Sequence, residues 1–234
     1  MRYTILFFIL LMLFSSCEEP KKEEEKIETV LIFPRISIVS QNTNIADVTV
    51  EIEGYDGNLV SGAVVLVSNN SNGILKCNYD FYTGSYFCKY PIPANGIINV
   101  SIDSILSSYT LNYTIPHRQI VSKPVINVFE DSDGCSVLMG MPVDFLRTVQ
   151  IGWTSSGEGI VYQITIRSAL QTLYQASTES LTHIIPGGIV DVSPGQIYYI
   201  QINAQRIIGD PFFKTSRIYS AAIRTGDTIS FNVW

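Results

Sequence analysis

The eleven residues PGQIYYIQINA, Pro194 to Ala204, decide how this chain is read. Proline and glycine open the stretch with a turn. Beyond them Tyr198, Ile200, Ile202 and Ala204 fall on one side of an extended backbone, and Tyr199, Gln201 and Asn203 on the other. A period of two does not fit a helix, so the stretch predicts a strand with one buried and one wet face. The same pattern recurs upstream in Val149, Ile151 and Trp153 and in Tyr162, Ile164 and Ile166. It recurs again in the first half, where Val48, Val50 and Ile52 alternate with Asp47, Thr49, Glu51 and Glu53. Ile98, Val100 and Ile102 follow it too, as do Tyr109, Leu111 and Tyr113. Gly, Asn and Pro separate these runs, charged residues make up only 15% of the chain, and no segment reads convincingly as a helix. The fold class is all-β, two antiparallel sandwiches in tandem.

In its second half, from about residue 123 to 226, the chain resembles fibronectin type III domains. Pro194 to Ala204 is similar to their sixth strand, with Tyr198 at the tyrosine-corner position, whose hydroxyl bonds back to the backbone. Val149 to Trp153 matches the second strand with its core tryptophan, and Tyr162 to Ile166 the third. Two features depart from that pattern. The link from Glu130 to Thr148 is long and carries Val137, Leu138, Met139 and Met141, which predicts an added strand or an interdomain cover. The ending, Thr228 to Trp234, runs past the usual last strand and is expected to add to an edge. The resemblance also implies that RIIGDPFFK, Arg206 to Lys214, projects from the sandwich end. Ile207, Ile208, Phe212 and Phe213 there are the candidate protein-binding residues.

The first half, Thr29 to about Ile115, reads as some seven short strands. Gly57 to Val65 and Gly84 to Tyr86 resemble the bacterial Ig-like and carboxypeptidase-regulatory-like modules. Around Gly84 two hairpin registers are open. A four-residue loop, Phe81 to Gly84, sets Cys77 opposite Cys88, whereas a two-residue turn at Thr83 and Gly84 places them diagonally. Both registers put Leu75, Cys77, Tyr79, Tyr86, Cys88 and Tyr90 on one face, and Lys76, Asn78, Asp80, Ser85 and Lys89 on the other. Cys77 and Cys88 are thus a candidate disulfide, with two buried thiols as the alternative.

At the amino terminus, Arg2 precedes an apolar run from Ile5 to Phe14, and Ser15 and Ser16 lead to Cys17. The run is too short to span a bilayer, which takes about 20 residues, and has the length of a secretory signal core. Residues 13–17 resemble a bacterial lipobox, although Phe14 stands where a smaller aliphatic residue is usual. The resemblance implies cleavage before Cys17, diacylation of its thiol and attachment to membrane lipid. Glu18 to Glu28 is a charged run that buries no core. Twelve residues from Cys17 reach at most roughly 40 Å when extended. Acidic residues directly behind the cysteine also resemble a surface-export signal of some bacterial lipoproteins. The expected plan is a signal at 1–16, a tether at 17–28, an Ig-like sandwich at 29–116, a linker at 117–123 and a fibronectin type III-like sandwich at 124–234. The expected location is the cell envelope, on the outer membrane if the host has one, facing the periplasm or the surface.

A formal charge of −6 without a basic cluster offers nothing to nucleic acid. His117 and His183 belong to no nucleophile or metal motif and read as surface or capping residues. The run EDSDG, Glu130 to Gly134, reads as an Asp-Gly turn, with calcium as the alternative. Cys135 reads as a free structural thiol, with an intermolecular disulfide as the alternative. No cofactor is implied. The chain is expected to be a non-catalytic envelope lipoprotein that presents a protein-interaction or assembly surface. One alternative is a glycan-binding module in which aromatics such as Tyr82 and Phe87 stack on sugars. The other is an enzyme whose site joins the two domains and holds His117 or His183 with carboxylates.

Overall fold

A computed structural model describes residues 31–104, 110–214 and 216–233. The signal, Cys17 and the charged tether lie outside them, as does Tyr109. Eight strands form the first sandwich: β1 (Ile32–Gln41), β2 (Ile45–Gly54), β3 (Val64–Asn69), β4 (Gly73–Lys76), β5 (Asn78–Asp80), β6 (Ser85–Pro91), β7 (Ile97–Asp103) and β8 (Thr110–Pro116). One layer runs β4-β3-β7-β8, and the other contains β1-β2-β6-β5. Alternation builds its core directly. Ile36, Ile38, Val48, Val50, Ile52, Val65, Val67, Ile98 and Ile102 point inward and are fully buried.

Seven strands form the second sandwich: β9 (Ile126–Asp131), β10 (Val149–Trp153), β11 (Val161–Arg167), β12 (Thr172–Thr178), β13 (Thr182–Ile185), β14 (Ile197–Gly209) and β15 (Ile218–Asn232). Its layers are β13-β10-β9 and β12-β11-β14-β15. The expected second, third and sixth strands are β10, β11 and β14. The corner tyrosine behaves as the resemblance implied, accepting from Ser193 N at 2.7 Å and donating to Ser193 O at 3.3 Å. Trp153 is buried and packs on Tyr162, ring centroids 5.4 Å apart.

Two expectations here need correction. The long link adds no strand. It holds a single 3-10 turn, Val137–Met139, whose Leu138 and Met139 stay exposed, and it sends Val143 and Phe145 into the second core. The ending does not run past the last strand but is its second half, at the edge of that layer. Residues 228–232 of β15 pair with β14, and Phe231 and Val233 are core residues. Phe231 lies 4.9 Å from Phe129, 5.7 Å from Phe145 and 5.9 Å from Tyr198 between ring centroids. The expectation fails because the surplus length of β15 lies at its beginning and not at its end.

That surplus, Ile218 to Ile223, pairs in parallel with Ile36 to Gln41 of β1. One sheet of eight strands therefore runs through both sandwiches, in the order β12-β11-β14-β15-β1-β2-β6-β5. Ser220, Ala221 and Ala222 at the seam are small and buried. Where β15 passes from one sandwich to the other, a bulge shifts its register against β14 between Gln201 and Asn203. Gly226 sits at this point because a side chain would meet Ile202 O at 2.6 Å and Pro124 O at 2.8 Å. Asn42 closes the end of the seam in a left-handed conformation, φ 55°. Its Oδ1 accepts from Thr225 N at 2.8 Å, and its N–H donates to Ile223 O at 3.0 Å. Residues 117–123 run along this junction, with Ile120 in the second core and Lys123 bonded to Asp227 at 2.7 Å.

Candidate interaction surface

The strand registers bring three distant loops to one end of the long sheet. Ile32 at the start of β1 faces Gly54 at the end of β2, and Glu51 of β2 faces Ser85 at the start of β6. The β2–β3 loop, the β5–β6 loop and Leu31 are therefore neighbours. Because β15 runs parallel to β1, the described residues that lead into it, 210–214 and 216–217, come to the same end. Arg217 confirms this by lying over the Phe33 ring at 5.1 Å and pairing with Glu53 at 3.8 Å. Tyr55, Phe81, Tyr82 and Phe212 stand at the tips, exposing 81%, 85%, 101% and 77% of their surface.

Each tip is held from below by a carboxylate that accepts backbone N–H groups. Asp56 takes Asn58 N at 3.1 Å, Asp80 takes Tyr82 N at 2.9 Å, and Asp210 takes Phe212 N and Lys214 N at 2.9 Å each. These bonds turn the acids toward their own loops and leave the aromatic rings outward. The β5–β6 hairpin has the four-residue loop: Asp80 faces Ser85, Tyr79 faces Tyr86, and Gly84 N bonds to Asp80 O at 2.9 Å. This register sets Cys77 opposite Cys88, and the two are joined as a disulfide. Two residues leave the predicted facial sorting. Leu75 is exposed because β4 is the edge strand of the opposite layer, the chain changing sheets at Cys77. Ser85 is buried, its Oγ bonded to Thr83 Oγ1 at 2.8 Å.

Of the four candidate protein-binding residues, Ile207, Ile208 and Phe212 are exposed and Phe213 is half-buried. The pairing of β14 with β11 ends at Gln205, so Ile207 and Ile208 lie on a stretch of β14 with one open edge. Phe213 has φ 53°, a left-handed turn position that follows the bond from its N–H to Asp210 O. Tyr55, Leu31 and Phe81 had no place in the sequence-level site. Nothing short of strand register could have joined them to the Phe212 loop. Tyr82 stands on the β5–β6 loop, and Phe87 lies on the outward face of β6.

His117 is not a surface residue but lies buried at the seam. Its Nδ1 is 2.8 Å from Ser220 Oγ and its Nε2 is 2.9 Å from Ser40 Oγ. Ser220 donates to Pro116 O at 2.9 Å, and a carbonyl can only accept. Nδ1 therefore carries the proton given to Ser220, and Nε2 accepts from Ser40. The ring bonds hydroxyls of β1 and β15 at once, and its partners are not carboxylates. Burial lowers its pKa to about 4, so it is neutral at ordinary pH. His183 is half-buried on β13, with Nε2 2.7 Å from the Tyr174 hydroxyl. The two histidines thus sit in separate environments. Burial pushes the Asp131 carboxyl up, but the N–H groups of Asp144, Cys135 and Asp133 and the nearby Arg147 guanidinium outweigh this and hold it low. Its oxygens serve the turn and the following link. Cys135 is a free, part-buried thiol.

No family model matches the chain, and no curated protein matches it. Solved structures similar to it include a cytokine receptor complex, 10% identical with a TM-score of 0.41 over 84% of this chain and 95% of that one. Another is the BSP domain of a biofilm associated protein, 15% identical with a TM-score of 0.27 over 87% of this chain and 30% of that one. A third is the chicken CNTN1 FN1–FN3 domains, 13% identical with a TM-score of 0.39 over 88% of this chain and 66% of that one. On its own strand topology, the chain is an all-β protein of two antiparallel sandwiches that share one long sheet.

Proposed function

We propose that the chain is a non-catalytic lipoprotein of the cell envelope, held to a membrane through acylated Cys17, whose working surface is the loop-bearing end of the eight-stranded sheet. The observation that carries this reading is the gathering of Tyr55, Phe81, Tyr82 and Phe212 at that end. Exposed apolar residues scattered singly are ordinary, but several rigidly held aromatics on adjoining loops form a contact patch. The expected protein contact at Ile207, Ile208, Phe212 and Phe213 becomes one part of this larger surface. A catalytic reading has little to build on at the junction, because His117 has both ring nitrogens engaged and is closed to solvent.

Hydroxyl-radical footprinting tests the surface whatever molecule covers it. In intact envelopes Phe81, Tyr82 and Phe212 are expected to be protected relative to the purified protein, while Leu170 in the β11–β12 turn is not. Equal modification in both preparations sinks the reading. Mass analysis of the amino-terminal peptide tests the anchor: an unmodified terminus at a residue other than Cys17 rejects it.

A further inference from the structure

The exposed aromatics are not spread evenly over the molecule. Among the described residues with large exposed apolar side chains, the aromatic ones are Tyr55, Phe81, Tyr82, Phe87 and Phe212. Four stand at the loop end of the long sheet, and Phe87 lies on β6 beside it. Apart from Phe212 in the β14–β15 loop, the large apolar side chains that the second sandwich exposes among the described residues are not aromatic, such as Leu146, Leu170, Ile189 and Ile197. This end is also where the chain enters the fold, because Leu31 directly precedes β1 and Ile32 pairs with Gly54. The strands run from here toward the second core, which lies past the other end of β1.

From this placement we infer that the aromatic end docks on the lipid–water interface of the membrane that carries the anchor, with Tyr55, Phe81, Tyr82 and Phe212 inserted among the headgroups. The inference rests on the lipoprotein reading and names the occupant of the surface proposed above. Fourteen residues, Glu18 to Leu31, separate the lipidated position from β1. Even fully extended they keep this end within roughly 50 Å of the bilayer, so docking is an intramolecular event at high effective concentration. Tyr55 and Tyr82 suit the headgroup level, with an apolar ring below and a hydroxyl in water, and Phe81 and Phe212 suit the acyl boundary just beneath it. A membrane-held lipoprotein gains a defined orientation from such a second contact, which a tether alone does not give. Asp56, Asp80 and Asp210 support the tips against one lysine there, Lys214, which lies 5.7 Å from the Phe212 ring, while Arg217 is paired with Glu53. The balance is negative, so the interface that fits is zwitterionic rather than anionic.

The test uses the mature chain from Cys17 with Cys135→Ser, coupled through the Cys17 thiol to a maleimide lipid in phosphatidylcholine vesicles. This supplies the anchor whatever the host does, so failure of docking and failure of lipidation are read separately. Tryptophan is placed by Tyr82→Trp, Phe212→Trp or Leu170→Trp, and the signal of Trp153 and Trp234 is subtracted with the parent protein. With brominated acyl chains, the Tyr82→Trp and Phe212→Trp emission is expected to be quenched and blue-shifted, and the Leu170→Trp emission unchanged. Loss of quenching when half the lipid is made anionic supports the charge argument. Absence of quenching at positions 82 and 212 overturns the proposal, as does equal quenching at all three positions. Footprint protection in envelopes without quenching on vesicles also overturns it, in favour of a protein occupant.

Discussion

The two sandwiches solve the same packing problem with different means. The second is complete in itself: seven strands close around a core rich in rings, where Phe129, Phe145, Phe231, Tyr198, Trp153 and Tyr162 meet. The first has a mainly aliphatic core, whose only buried rings among the described residues are Tyr86 and Tyr90. It also has a disulfide beside one edge and a β1 whose free side is covered by a strand that belongs to the other sandwich. Tyrosine hydroxyls staple a loop in both. Tyr198 bonds Ser193, and Tyr86 accepts from Ala63 N at 2.8 Å and donates to Val60 O at 3.2 Å. The dependence between the two is therefore one-sided: the first borrows β15, whereas the second borrows nothing of comparable extent from the first.

Core truncations break the comparison most severely. Phe231→Ala is expected to cost about 3–5 kcal/mol. Because it loosens β15, it should expose backbone amides of both sandwiches to hydrogen exchange. Ile102→Ala in the first core should cost about 2–5 kcal/mol, yet leave the exchange protection of β10, β11 and β14 unchanged. Protection lost equally in both variants would contradict the one-sided dependence.

The disulfide comes next. Cys77 and Cys88 enclose a separation of 11 residues, so their replacement by serine should lower stability by about 3 kcal/mol in chemical denaturation. The loss should be confined to the transition that reports the first sandwich.

His117 gives a comparable effect, but only in acid. Its folded pKa of about 4 lies below the ordinary 6.5, so the unfolded chain binds the proton first as the pH falls. Stability is unaffected above pH 6.5 and declines between 6.5 and 4. The loss reaches about 3 kcal/mol, since each pKa unit is worth about 1.4 kcal/mol. His117→Gln should flatten this part of the pH profile relative to the parent protein. His183, also lowered by burial, remains in both and cancels in the difference. An unchanged profile would show that the ring is not closed to solvent in solution.

Tyr198→Phe is the mildest change. It leaves the Ser193 N–H without its partner and should cost about 1–2 kcal/mol, read as a lower melting temperature with the fold retained.

Sequence made the local features legible and left the long-range ones hidden. Tyr198 was readable because Pro194 and Gly195 fix its position after a turn, and Cys77 with Cys88 because one hairpin register makes them face each other. The seam was not. Its strands lie some 180 residues apart in the chain, and Ser220, Ala221 and Ala222 show no alternation, being consecutive small residues that are all buried. His117 stands beside Arg118 and Gln119, polar neighbours that give no hint of its burial. The aromatic end was partly visible in RIIGDPFFK, whose exposed tip was expected. Its companions on the β2–β3 and β5–β6 loops join it only through the parallel pairing of β1 with β15.

That pairing supports the account as a whole, because it carries the Phe212 loop to the end where the chain enters. It places Lys89, Asp47, Val39, Ala221 and Ile207 on one line across five neighbouring strands. Spin labels at Lys89→Cys and Ile207→Cys, with Cys17 and Cys135 replaced by serine and the disulfide kept, measure that line by pulsed electron resonance. Four strand spacings predict a single narrow distance on the order of 20 Å. A broad distribution extending to much longer distances would mean that the two sandwiches swing independently, and the shared sheet would be refuted.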